Sequence, residues 1–200
     1  MPDSYPVQNP LSRFKRLYAQ AEAVDRSVLP EPNAMSLATV GMSGAPSVRI
    51  VLMKAVDEDG FVFYTNLEGR KGRELRTREV AAICFHWPTL GVQVRAEGQT
   101  TQVSDGEADE YFATRPRDSQ IGAWASIQSQ PIERVDDLAQ RVARYEKEFE
   151  GLAVPRPPFW SGFRLKPDCI EFWKSKPGRL HERHFYTRKD ESWTMQTLYP

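Results

Sequence analysis

VAAICFHWPTLGVQVRAEGQTTQV, residues 80 to 103, is the stretch on which the fold turns. VAAICFHW and VQVRAEGQTTQV are both rich in β-branched and aromatic residues, and apolar and polar positions alternate through VQVRA. Both read as strands. Upstream, AMSLATV (34–40) and SVRIVLMKAVD (47–57) read as two more strands joined by the glycine-containing GMSGAP, and a DEDG turn at 57–60 leads into FVFYT. EGRKGRELRTRE is a short charged helix between FVFYT and Val80.

Downstream, Ser104 and Glu107 form a capping box that opens a helix through Tyr111 and Phe112, ending near Arg115-Pro116. A second short helix starts at Asp118 and runs through QIGAWAS. Residues 133–150 place Val135, Leu138, Val142, Tyr145 and Phe149 at helical spacing, which predicts an amphipathic helix. After the rigid PRPP connector at 155–158, the runs WSGFRLKP, CIEFWKS, LHERHFYTR and SWTMQTLY read as strands. At the other end, residues 1–8 form a loose arm before a helix, NPLSRFKRLYAQAEAVDRSV, with Asn9 as N-cap and Pro10 in its first turn. Leu11, Phe14, Leu17, Tyr18, Ala21 and Val24 make its buried stripe. Seven or more short-looped strands with a few helices between them do not show the regular alternation of a parallel sheet. The expected fold is a mainly β, α+β domain over residues 1–200, an antiparallel barrel with flanking helices.

Lys plus Arg and Asp plus Glu each number 27, so the net charge is zero and there is no global field to attract nucleic acid or an anionic membrane. Any anion site must be local. No basic start precedes an apolar run and no window approaches 18 apolar residues, so the chain is expected in the cytoplasm. Cys84 and Cys169 have no CxxC spacing and no partner histidine at zinc distance, and are expected to be buried, reduced thiols with no metal.

Four segments concentrate hydrogen-bond donors. RIVLMK (49–54) is an apolar strand with a cation at each end. YTNLEGRKG (64–72) brings a strand end, Tyr64 and Thr65, to an Arg70-Lys71 pair at a helix start, where free N–H groups suit a phosphate. In YFATRPRDSQIGAWAS (111–126), Tyr111 and Arg115 share a helix face and Ser119 follows the break at Pro116. In RLHER (179–183), a strand reading places Arg179, His181 and Arg183 on one face. Core strands, solvated helix ends and a surface strand account for each segment taken singly. Together they favour one or two phosphorylated small ligands.

RIVLMK, FYTNLEGRKG, WPTLGVQVRAEG, YFATRPRDSQIGAWAS, QSQPI, VPRPPFWSGFRL, IEFW, RLHER and the closing TLYP resemble, in order and spacing, the pyridoxine/pyridoxamine 5'-phosphate oxidases, from about residue 34 to 200. The resemblance implies an FMN-binding split β-barrel, a homodimer with flavin at the interface, and oxidation of a B6 phosphate by O2 with release of H2O2. It implies that Arg49, Ile50, Val51, Leu52, Tyr64, Thr65, Arg70, Lys71, Gln93, Gln128, Ser129, Trp173 and Arg183 hold FMN. It implies Lys54, Tyr111, Arg115 and Ser119 on the substrate phosphate, with Arg179 and His181 as catalytic residues over its ring. Members usually carry a serine where this chain has Gly69. Many also carry a longer N-terminal arm, which this chain starts too late to supply in the usual register. The competing expectations are a phenazine-type flavin oxidase, which does not account for the RPRDSQIGAW residues, and a non-catalytic carrier of flavin or pyridoxal phosphate. A single-stranded nucleic-acid barrel is disfavoured by the zero charge and by scattered aromatics. Trp124, Trp160 and Trp173 are expected first as core or interface residues.

Overall fold

A computed structural model describes residues 9–190 and 192–200; the expected arm at 1–8 lies outside them. In chain order the elements are α1 (Pro10–Glu22), β1 (Ala34–Val40), β2 (Pro46–Leu52), β3 (Ala55–Val56), β4 (Phe61–Asn66), α2 (Arg70–Thr77), β5 (Val80–Trp87) and β6 (Val92–Gln102). There follow α3 (Asp105–Ala113), α4 (Arg117–Ala125), α5 (Val135–Glu148), β7 (Trp160–Lys174), β8 (Glu182–Lys189) and β9 (Ser192–Leu198). All strands pair antiparallel in one curled sheet, in the order β2-β1-β5-β6-β7-β4-β3, with β8 and β9 branching from β7. The result is a half-barrel with helices on its flanks, and no helix among the described residues is long and apolar enough to cross a membrane.

The fork at β7 has a local cause. The first part of β7, Trp160 to Leu165, pairs with β4, and its last part, Cys169 to Lys174, pairs with β8 along the same edge. Pro167 lies between them and cannot donate to a ladder, and the β6 register shifts opposite it, between Glu97 and Gly98. Gly98 permits the close approach, because a Cβ there would lie 2.1 Å from the Lys166 carbonyl oxygen. What the sequence divides into two strands, WSGFRLKP and CIEFWKS, is therefore one strand serving two neighbours. SVRIVLMKAVD shows the reverse case: Met53 N–H bonds to Asn33 O at 2.9 Å and Lys54 N–H to Val62 O at 2.8 Å, so the run changes partners and breaks into β2 and β3.

α1 starts as expected, with the Asn9 side chain accepting from Leu11 N–H at 2.9 Å, but it stops at Glu22 and not near Val28. Leu11, Phe14 and Ala21 are buried, and Phe14 packs edge-on to Phe61 at 4.8 Å and beside Phe85 and Trp87 inside the curl. Arg13 on the same helix reaches β8, bonding His184 Nδ1 at 3.0 Å and Tyr186 OH at 3.2 Å, with its guanidinium 4.4 Å from the Phe172 ring centre. A second cluster, Phe112, Ile121, Phe149, Val154 and Trp160, lies beneath α3, α4 and α5. The expected stripe of α5 is only half buried. Phe149 is covered and Val142 and Tyr145 pack on the cluster, whereas Leu138 is 44% and Val135 86% exposed, because the helix crosses the cluster with its C-terminal half alone.

Candidate active site

β2, β4, the first turn of α2, α3 and α4 border a cavity of about 600 Å³, within the size range of small-molecule sites. Val51, Leu52, Lys54, Tyr64, Thr65, Lys71, Tyr111, Arg115, Ser119 and Gln128, ten of the residues singled out from the sequence, line it. They come from segments up to 77 positions apart, from Val51 to Gln128.

One corner is built at the start of α2. Lys71 Nζ donates to Gln128 Oε1 at 2.8 Å and to Thr65 Oγ1 at 3.2 Å, and among the described residues no carboxylate pairs with it. Burial, then the charge of Arg49, pushes the Lys71 pKa down. Gly69, the N-cap, leaves room for Gln128, since a Cβ there would lie 2.6 Å from Gln128 Oε1. Ser129, held at φ 68°, accepts from Arg70 N–H at 3.2 Å and so ties the loop after α4 to the helix start. The helix itself is pressed on the preceding turn at Gly72, where a Cβ would meet the Asn66 and Leu67 carbonyl oxygens at 2.5 Å.

The two arginines expected beside this corner are committed to a buried carboxylate. Glu74 accepts from Thr39 Oγ1 at 2.5 Å, Ser47 Oγ at 2.6 Å, Arg49 Nη2 at 3.3 Å and Arg70 Nε at 2.9 Å. Burial acts to raise its pKa, but the hydrogen bonds from Ser47, Thr39 and Arg70 prevail and hold it at about 2. Arg49 also donates to Leu37 O, Thr39 and Ser47, so its side chain knits β1 to β2.

The opposite charge pattern, a cation with no acid, recurs at the α3–α4 junction. Arg115 falls just past the end of α3, yet it still shares the cavity with Tyr111, Ser119 and Lys54. Its Nη1 is buried without a hydrogen-bond partner, and among the described residues no carboxylate pairs with it. Burial lowers its pKa. Trp160, Tyr64 and Tyr111 stack beside it in nearly parallel planes.

The remaining residues form a separate group that does not line this cavity. Gln93, Trp173 and Arg183 are directly opposed across β6, β7 and β8. Arg183 is held by Glu171 at 2.7 and 3.1 Å, Arg95 takes the same carboxylate at 2.6 Å, and Glu171 is only 4% exposed. Burial opposes ionisation of Glu171, but the bonds from Arg183 and Arg95 lower its pKa. The strand reading of RLHER is corrected here. Pro177–Arg179 is a 3-10 turn with Gly178 at φ 66° and Arg179 at φ 61°, and β8 begins only at Glu182. Arg179 and His181 therefore do not share a strand face with Arg183. His181 instead packs on Trp173, with ring centres 4.5 Å apart, and its Nδ1 accepts from Lys176 N–H at 3.3 Å. Ile50 points away from the cavity, at 63% exposure.

Glu74 and Glu171 are not among the residues singled out from the sequence, and Trp160, expected as a core or interface residue, is buried and also lines the cavity. Glu74 stands four residues after Arg70 on a short helix, a spacing that reads as an ordinary surface pair. Glu171 lies in the apolar IEFW, where a lone acid signals a buried partner.

The family profile described as pyridoxamine 5'-phosphate oxidase matches residues 21–150, and that of the pyridoxine 5'-phosphate oxidase C-terminal dimerisation region matches residues 160–200. The pyridoxine/pyridoxamine 5'-phosphate oxidase of Myxococcus xanthus is 53% identical over 192 residues, 96% of this chain and 92% of that protein. That of Rubrobacter xylanophilus is 50% identical, over 96% and 87% of the two chains. Among solved structures, PhzG from Burkholderia lata 383, in complex with tetrahydrophenazine-1-carboxylic acid, aligns with TM-score 0.88 and 31% identity over 98% of this chain and 94% of that one. A pyridoxamine 5'-phosphate oxidase-related, FMN-binding protein from Nostoc punctiforme has the same fold, with TM-score 0.75 and 18% identity over 94% and 97% of the two chains.

Proposed function

Because the chain belongs to the pyridoxamine 5'-phosphate oxidase family, we propose that it oxidises pyridoxine 5'-phosphate or pyridoxamine 5'-phosphate to pyridoxal 5'-phosphate, with FMN as cofactor, O2 as acceptor and H2O2 as by-product. One observation carries the reading: two half-buried cations in a single cavity, Lys71 and Arg115, each without a carboxylate among the described residues, with the exposed Lys54 at the same cavity. A half-buried cation is costly unless an anion joins it, and cofactor and substrate each bring a phosphate.

The residues present fit FMN. Lys71, Arg70, Thr65, Gln128 and Ser129 would hold its phosphate at the start of α2, with Arg49 to Leu52 and Tyr64 alongside; Gln93, Trp173 and Arg183 would complete the site. FMN supplies, when bound, a ring able to accept a hydride. The chain's own residues bind and orient. Lys54, Tyr111, Arg115 and Ser119 would fix the substrate phosphate, and Arg179 and His181 would orient the C4' substituent and assist its proton loss.

A homodimer is supported by where the second group stands. Ile50, Ser36, Cys84, Arg95 and Glu171 are opposed in one row across β2, β1, β5, β6 and β7, and Gln93, Trp173 and Arg183 lie on that same face, away from the core-facing Leu37, Ile83 and Ile170. Val48 and Ile50 expose 69% and 63% of themselves there. A second copy on this face would offer those three residues to its neighbour's cavity, as two-fold symmetry allows.

The likeness to PhzG favours a second reading, a flavin oxidase of that kind. It leaves Lys54, Tyr111, Arg115 and Ser119 without a phosphate to bind. The deciding experiment saturates the protein with FMN, removes oxygen, adds pyridoxine 5'-phosphate and follows flavin absorbance. Bleaching that reverses in air, with pyridoxal 5'-phosphate formed, is expected; a bound flavin that stays unbleached with both B6 phosphates sinks the assignment.

A further inference from the structure

Arg115 raises a question of mechanics. Its guanidinium has no acid partner among the described residues, and one nitrogen is buried with nothing to donate to. Long cationic side chains left that way usually turn toward water. Arg115 instead lies 4.8 Å from the centre of the Trp160 ring and 5.4 Å from that of Phe112. Trp160 is 6% exposed, stands at the first position of β7, and is itself fixed by the edge of Phe112 at 5.0 Å and by Tyr64 at 5.2 Å and 8°. Tyr111 closes the stack, 4.0 Å from Tyr64 and 6.2 Å from Trp160, with its plane within 7° of the indole.

Resting on the functional reading above, we propose that Trp160 is a positioning residue for the substrate phosphate: its indole holds Arg115 and Tyr111 in place without consuming any of their hydrogen-bonding groups. The chemistry favours a ring over a carboxylate in this role. An acid beside Arg115 would occupy its N–H donors and cancel its charge before the substrate arrived. A π face attracts the cation through its quadrupole and leaves every donor free. The Glu74 network follows the other plan, which makes the contrast between the two arginine environments internal to this one protein.

The test compares Trp160→Leu and Trp160→Phe holoenzymes with wild type on pyridoxine 5'-phosphate and on unphosphorylated pyridoxine, and measures equilibrium binding of pyridoxal 5'-phosphate. For Trp160→Leu, KM for the phosphorylated substrate and the pyridoxal 5'-phosphate Kd should rise about tenfold. The kcat and FMN affinity should stay within about threefold and the preference for the phosphorylated substrate should fall, while the Phe variant, which keeps a ring under Arg115, recovers most of the loss. Fluorinated tryptophans placed at position 160 alone serve as a second probe that leaves shape intact. KM should climb with each fluorine as the π face weakens. An unchanged KM in Trp160→Leu, or no trend along the fluorine series, overturns the proposal. So does a joint fall of kcat, FMN affinity and thermal stability at constant substrate preference, which marks a scaffold role. A wild-type protein that neither binds pyridoxal 5'-phosphate nor turns over a B6 phosphate overturns the functional reading instead, and the inference with it.

Discussion

Lys71→Met removes one ammonium while keeping most of the side chain's length and volume, and it should weaken FMN binding far more than Arg70→Met next to it. The geometry sets the ratio. Lys71 is half-buried and bonds only neutral oxygens, Gln128 Oε1 and Thr65 Oγ1, so its charge is wholly available to a phosphate. A charge-assisted hydrogen bond in such a place is worth roughly 1.5–3 kcal/mol, which is about 10- to 150-fold in Kd. Arg70 already shares its charge with Glu74 at 2.9 Å, and its side chain is 59% exposed, so its loss should cost less than about fivefold. Lys71 also sits near Arg49 at a cost from burial and repulsion, so the apo form of Lys71→Met should be no less stable than wild-type apo protein. Quenching of flavin fluorescence on titration gives both dissociation constants, and a thermal melt of apo protein gives the second quantity. Equal effects at positions 70 and 71, or a change under threefold at 71, would refute the assignment of the phosphate corner.

Three further outcomes follow from particular contacts. The Glu74 pKa of about 2 lies below the ordinary 4.5, so its contribution is complete above pH 4.5 and is lost as pH falls from there to about 2; at most about 3 kcal/mol is involved, and Glu74→Gln should flatten the stability curve of apo protein across that interval. Gly72→Ala pushes a methyl against two backbone oxygens at 2.5 Å and should cost about 1–3 kcal/mol in urea melts together with FMN affinity, while Gly106→Ala, whose Cβ would meet nothing nearer than 4.0 Å, should not lower stability. Val48→Glu changes a residue already 69% exposed in one chain, so monomer stability should hold while sedimentation shows the dimer weakened and FMN lost; a Val48→Glu protein that remains fully dimeric and keeps its flavin removes this sheet face from the interface.

The legible parts of this chain are those whose cause is local. Asn9-Pro10 and Ser104-Glu107 carry their caps within four residues, and the strands of the curl show themselves in β-branched and aromatic runs. RLHER misleads because the decisive residue precedes it: Gly178 turns left-handed, Arg179 follows at φ 61°, and the strand cannot begin until Glu182. Val135 and Leu138 carry a sound helical period, but a period does not say whether another element will cover it, and among the described residues none does. The candidate residues are named by four donor-rich segments and, beyond them, by resemblance. Their partition into two groups is not legible, because whether Gln93 and Trp173 face the same cavity as Lys71 depends on strand order and on the fork at Pro167, which no short window contains.

That fork gives β7 a mechanical role. Trp160 at one end borders the cavity of its own chain, and Trp173, thirteen residues on, stands in the group proposed to serve the other copy. The intervening strand is a strut of roughly 40 Å at ordinary strand rise. In a two-fold assembly two such struts would run between the two cavities in opposite senses. The spacing and mutual tilt of the sites would then be set by the stiffness of a backbone hydrogen-bonded on both edges, and not by side chains at the interface. Strain from one closing pocket would have a short, rigid line to the other.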